Sequence, residues 1–243
     1  MRARPAELPG LFFSPVSAMS RITPLLIVTL SLFGCAAYGQ SSASPAQLLP
    51  KYGRTESEIA ATEEDRSFLA GSDQLFKGDR KQAAKAMEVQ GWKWLRQNKS
   101  GAAMQCFNKA WLLDAGNGNA LWGMGQIEAN RGHANESLAL FNEANRRVGF
   151  DIDFAVDFAR AQSLAGIKLG DNKLMDEAFR RFAQIQTRAP QHTLNLQNWA
   201  IALYYTGKFG QAWDKIKAAQ ATPRGAEVDK KFMADLQAKM PRP

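Results

Sequence analysis

Cysteine and histidine are scarce. The 243 residues include two cysteines, Cys35 and Cys106, and two histidines, His133 and His192. Two cysteines cannot make a disulfide framework, and no Cys/His spacing suits zinc. The histidines fall in different inter-helix turns, where solvation or capping accounts for them. A Gly-rich phosphate loop and a dinucleotide fingerprint are also missing. Asp114 and the Asp151-x-Asp153 pair fall at helix starts or ends, where capping explains them. With no nucleophile–base pair, metal cluster or paired carboxylates in view, no enzyme, catalytic residue, metal or cofactor is expected. The net charge is +8, but the basic residues are dispersed singly with no long Lys/Arg cluster. Nucleic-acid binding needs a concentrated phosphate-facing patch and is not expected.

β-branched residues are sparse after residue 55, and Ala, Gln, Leu, Lys and Met dominate. That bias predicts an all-α fold. The apolar run Leu25 to Phe33 follows Arg21 and is too short to span a bilayer. It reads as the core of a targeting segment over residues 1–34, with Met19 as the expected true start, because residues 1–18 would form an unusually long, proline-bearing leader. Residues 36–54 are small, polar and proline-bearing, which predicts a flexible tether. Residues 55–243 form the expected helical domain.

Within that domain the chain repeats itself. Gly91, Trp94, Ala103, Phe107 and Ala110 recur 34 residues on as Gly125, Glu128, Ser137, Phe141 and Ala144. The apolar spacings of three and four predict helices. A first helix is expected from about Ser57 to Phe76, introduced by Thr55-Glu56-Ser57-Glu58, and Asp79 should cap the next. Four hairpins follow: about 80–97 with 102–113, 120–130 with 135–147, 153–165 with 175–187, and a fourth around Leu196 to Leu203 and Ala212 to Ala219. Phe141 to Phe182 spans 41 residues, and the excess over 34 is assigned to a longer turn at Ile167 to Lys173. Ala226 to Lys239 reads as a polar capping helix with one packed face. Small residues at the crossings let helix axes approach closely, with Phe107 and Phe141 filling the adjoining space.

This arrangement resembles the tetratricopeptide repeat family. The resemblance implies a right-handed α-solenoid of about four such hairpins, flanked by an N-terminal helix and the C-terminal cap. It also implies a non-enzymatic scaffold that binds a protein or peptide in a concave groove lined by first helices. Aligned in this way, Trp92, Arg96, Trp122, Gln126, Asn130, Arg160, Gln197, Tyr204 and Tyr205 face that groove. Large amphipathic residues of this kind make interface hot spots. Trp94, Phe158 and Trp199 are read instead as inter-repeat packing. The basic clamp with which some family members hold acidic peptide tails is absent, since its slots hold Glu88, Trp92, Trp122 and Gln126.

Two further resemblances bear on location. Leu32-Phe33-Gly34-Cys35 resembles the lipobox of bacterial lipoproteins, in which the cysteine is thioether-linked to diacylglycerol and becomes the first residue. Phe33 is bulkier than that motif prefers, and secretory cleavage after Ala36 or Ala37 is the alternative. Gly91-Trp92-x-Trp94, Ala103-Met104-x-x-Phe107-Asn108-x-Ala110-Trp111-Leu112-Leu113-Asp114 and Leu121-Trp122-Gly123-x-Gly125 resemble small bacterial envelope proteins of the repeat class. The resemblance implies a lipid-anchored protein whose partner is another envelope protein or peptide, in the assembly or secretion of a surface structure. Ala36, following Cys35, points to the outer membrane by the lipoprotein sorting rule. The alternatives are a soluble secreted binder and an accessory to an envelope glycan or peptide enzyme.

Overall fold

The structure is a computed structural model and describes residues 43–243. The expected leader, the expected start at Met19 and the expected lipid attachment at Cys35 lie outside the described residues. Ten α-helices are described: α1 (Glu63–Leu75), α2 (Arg80–Arg96), α3 (Ser100–Leu113), α4 (Gly118–Arg131), α5 (Ala134–Asn145), α6 (Ile152–Leu169), α7 (Asn172–Arg188), α8 (Thr193–Tyr205), α9 (Phe209–Gln220) and α10 (Lys230–Lys239). No strand occurs among the described residues. The chain divides into two compact units, which meet in sequence between Phe150 and Asp151.

The first unit contains the hairpins α2/α3 and α4/α5, with α1 against α2 and α3. The first helix of each hairpin starts at a side chain that satisfies an orphan amide. Asp79 accepts from the Gln82 N–H at 2.9 Å and Asn117 from the Ala120 N–H at 2.9 Å. The packing key is Phe107 on α3, which is wholly buried. A Cβ on Gly91 of α2 would lie 2.6 Å from its ring, and a Cβ on Gly123 of α4 would lie 2.2 Å away. Both distances are far inside van der Waals contact, so glycine is required for this approach. Phe141 on α5 repeats the contact one hairpin later, 3.0 Å from where a Gly125 Cβ would stand. Beside it the Ser137 hydroxyl donates to the Gly125 carbonyl at 3.0 Å.

The second unit contains α6/α7 and α8/α9, closed by α10. Val156, Ala159, Met175, Ala178, Phe182, Ile185 and Ala202 form one cluster. Leu196, Ala200, Leu203, Trp213, Ile216, Val228, Phe232 and Leu236 belong to another. Phe182 stacks on Trp199 at 6.1 Å, so a second-helix aromatic again reaches the following hairpin. The short capping helix α10 starts at Asp229, which accepts from the N–H groups of Lys231 and Phe232.

The expected helix pairs are present, but three sequence readings change. Residues 57–62 are not α-helical: Ser57 and Glu58 end a short 3-10 turn, Ala60 adopts φ +62°, and a second capping box, Thr62 with Asp65, starts α1. The longer turn expected at Ile167 to Lys173 does not exist as a loop. Residues 167–169 extend α6, Gly170 takes the left-handed cap at φ +66°, and Asp171 immediately caps α7. The extra residues between Phe141 and Phe182 therefore include lengthened helices. Finally, residues 44–54 of the expected tether are not free, and neither are residues 55–58 that follow them. They form short 3-10 turns held against the first unit by side chains of α3, α4 and α5.

Phe141→Ala should cost about 3–5 kcal/mol, because the ring is 1% exposed and faces Gly125. Chemical denaturation read by helical circular dichroism checks this. An unchanged midpoint would refute the register of α4 on α5.

Candidate functional site

The residues expected to face a groove fall on α2 and α4 in the first unit, and on α6 and α8 in the second. On α2, Trp92 and Arg96 stand four residues apart. Trp122, Gln126 and Asn130 share the same spacing on α4, so each set forms a row on one helix face. The first helices α2 and α4 pack side by side, which places the rows next to each other. They join where the Trp92 and Trp122 rings meet edge to face, with centroids 4.9 Å apart.

The two rows differ in access. Trp92, Trp122 and Gln126 are buried, Asn130 is half-buried and Arg96 is exposed. Trp92 also meets the Phe107 ring at 5.4 Å. It extends the aromatic stack that begins at the Gly91 and Gly123 crossings. Trp92 and Trp122 are thus packing residues of the fold, contrary to their expected role as groove anchors, and Gln126 is buried beside them rather than open to a groove. Glu88, one turn earlier, is 4% exposed and accepts from Lys85 at 2.6 Å and from the Asn117 amide at 3.4 Å.

In the second unit, burial pushes the Arg160 guanidinium below its ordinary range, and Asp157 one turn away opposes that shift. Arg160 is itself buried. Gln197 is buried too, and its side-chain oxygen accepts from the Asp229 backbone N–H at 2.8 Å. It ties α8 to the start of α10 and is therefore a structural residue. Tyr204 is half-buried against Phe232 at 5.7 Å and Phe209 at 5.5 Å. That position assigns it to packing the C-terminal cap. Tyr205 stands edge-on to Tyr204 at 5.3 Å. Burial raises its phenol above the usual range, with further contributions from Tyr204 and Asp235. Gln197 and Tyr204 share one physical reason. The C-terminal segment folds back over α8 and uses faces that the repeat pattern alone leaves open.

The histidines have structural partners. His192 caps α8 by accepting from the Asn195 N–H at 3.2 Å, which leaves its Nε2 proton directed at Asp153, 3.0 Å away. His133 lies 2.5 Å from the buried Glu128 carboxylate, which also accepts from Arg131 at 2.7 Å. Among the described residues, no group of three or more His, Cys, Asp and Glu side chains is placed to hold a metal ion.

Sequence reasoning missed the side chains that hold residues 44–58. Asn108 is fully buried and donates to two carbonyls, those of Gln47 at 3.1 Å and Leu49 at 2.8 Å. Arg131 donates to the carbonyl between them, Leu48, at 2.8 Å. Glu143 accepts from Lys51 at 2.5 Å, and Arg147 pairs with Glu56 at 3.0 Å. A signal was present in α3. From Ala103 to Leu113 this helix is apolar around most of its circumference, which requires a cover on the side away from α2.

Gln197→Leu should cost about 1–3 kcal/mol, the usual penalty for orphaning a buried amide. The thermal midpoint should fall accordingly. A midpoint equal to wild type would return Gln197 to the exposed face of α8.

The chain is a helical-repeat protein with TPR-like hairpins. No family model matches the chain, and no curated protein matches it. Among solved structures it is similar to YrrB, a TPR protein with an unusual peptide-binding site. The identity is 18%, over 70% of this chain and 97% of that one, with a TM-score of 0.33.

Proposed function

We propose that this chain is a non-enzymatic interaction scaffold of the bacterial cell envelope, anchored through lipid on Cys35 and binding a protein or peptide partner on its first helices. The observation that carries the reading is the pairing of α2 with α4. It sets Trp92 and Arg96 beside Trp122, Gln126 and Asn130 on neighbouring parallel faces. The ring contact fixes the spacing of the helices, and Arg96 extends from it into solvent. The buried rings hold the two helices in place, and exposed Arg96 and half-buried Asn130 are the members of these rows that a partner can reach.

The envelope location rests on Leu32-Phe33-Gly34-Cys35 and the apolar run before it. Lipid at Cys35 would place the scaffold on the outer membrane, facing the periplasm, where an assembly or secretion partner would meet it. No described helix is long and apolar enough to cross a membrane.

Cys35→Ser should abolish labelling by a radioactive fatty acid and move the protein out of the membrane fraction, since stable anchoring needs acyl chains. Wild-type protein without lipid, starting after Ala36 or Ala37, would replace this reading with that of a soluble secreted binder. A photo-crosslinking residue at position 96 should capture a partner in intact cells, whereas one at exposed position 136 on α5 should not. Adducts from position 136 alone would move the partner surface off the first helices.

A further inference from the structure

Residues 44–58 lie across α3 and α5 of the first unit, and three features of this strap stand out. First, the body recognises its backbone. The carbonyls of three consecutive residues, Gln47, Leu48 and Leu49, accept from Asn108, Arg131 and Asn108 respectively. Asn108 is 0% exposed, with both amide hydrogens directed at the strap. Its oxygen has no hydrogen-bond partner. Turning the amide over would aim that oxygen at two carbonyls, so the strap alone sets the orientation. An amide buried in this way suits a polypeptide backbone lying against α3.

Second, the strap is held by polar groups and buries little of itself. None of its turn residues is buried, and Leu49 is 50% exposed. The strap also leaves a cavity of about 80 Å³ between Gln47, Tyr52, Phe68 and Leu112. Third, it is strained. Lys51 and Tyr52 adopt φ of +53° and +57°, and Gly53 follows at +72°. Consecutive non-glycine residues in the left-handed region are unfavourable and persist only under outside constraint. Here the constraints are Lys51 on Glu143 and Arg54 on Asp65, each at 2.5 Å. Strong backbone recognition, slight apolar burial and local strain together describe an occupant that can exchange.

We propose that Asn108, Arg131 and Glu143 form a second polypeptide-binding site, with residues 44–58 as its resident occupant and a partner segment as its alternative. The segment's chemistry follows from the strap. Two apolar residues offer their carbonyls to Asn108 and Arg131. A proline, which has no N–H to satisfy, then keeps the preceding residue extended, as Leu49 is at φ −88° and ψ 144°. A basic residue next to it pairs with Glu143. In this chain those residues are Leu48, Leu49, Pro50 and Lys51. The site uses α3, the end of α4 and α5, and is independent of the first-helix reading above.

The test uses the full chain with residues 45–54 replaced by glycine and serine at equal length, and a fluorescein-labelled synthetic peptide of residues 43–58. Fluorescence anisotropy should show saturable binding to the replaced chain. Asn108→Leu in that background should weaken it at least about tenfold, the scale of one lost backbone recognition. Wild type should also bind at least about tenfold more weakly, because its tethered strap competes at an effective concentration in the millimolar range. In the wild-type chain, amide exchange at Gln47, Leu49 and Tyr52 should be at least about tenfold faster than in the middle of α3. No binding by a replaced chain of native helicity, or equal binding with and without Asn108, would overturn the proposal. So would a replaced chain that cannot fold, or strap amides that exchange only by global unfolding. Either result would make the strap a fixed brace.

Discussion

The first unit depends on one close approach, the Phe107 ring between two glycines on different helices. Gly91 belongs to the same hairpin as Phe107, and Gly123 to the next. One buried ring therefore fixes both the crossing within a hairpin and the stacking of that hairpin on its neighbour. Any side chain at either glycine would push the helices apart. The aromatic wall of Trp92 and Trp122 builds outward from this point. Residues that frame the candidate surface are thus positioned by the same contact that holds the repeats together. In the second unit, alanines take the place of the glycines and Phe182 reaches Trp199, so the plan is similar but looser.

Polar side chains do the work that apolar packing cannot do at the edges. Asp79, Asn117, Asp151, Asp171, His192 and Asp229 each satisfy amides at a helix start. Asn108, Arg131 and Gln197 accept or donate across to segments outside the helix pairs. These contacts explain why buried polar residues occur in helices that otherwise read as apolar. They also decide which first-helix residues remain available to a partner.

The hairpins were legible because their signal is local and repeated: helix-forming composition, apolar spacings of three and four, and an aromatic recurring with small residues every 34 positions. Boundaries were legible only where a single capping residue stood alone. Two capping boxes seven residues apart, at Thr55 and Thr62, compete before α1, and the sequence offers no local reason to prefer the second. Gly170-Asp171 reads equally as a loop or as a cap followed by a cap, and the structure uses the latter. The candidate surface was legible as helix faces but not residue by residue. Gln197 and Tyr204 are engaged by Asp229 and Phe232, which lie some thirty residues away, and no periodicity in α8 encodes that return. The docking of residues 44–58 was hidden for a similar reason, because a small, polar, proline-bearing segment normally cannot support its own order. Here the order comes from donors on the body.

The stacking of the first-unit hairpins turns on Phe107 occupying the space left by Gly123. A double-mutant cycle measures it directly. Gly123→Ala alone should destabilise the chain by about 1–3 kcal/mol through overpacking. In a Phe107→Leu background, where the ring is gone, the same substitution should cost markedly less, giving a coupling energy of about 1 kcal/mol or more. Additive losses, with Gly123→Ala equally costly in both backgrounds, would contradict the contact and the stacking of hairpins built on it.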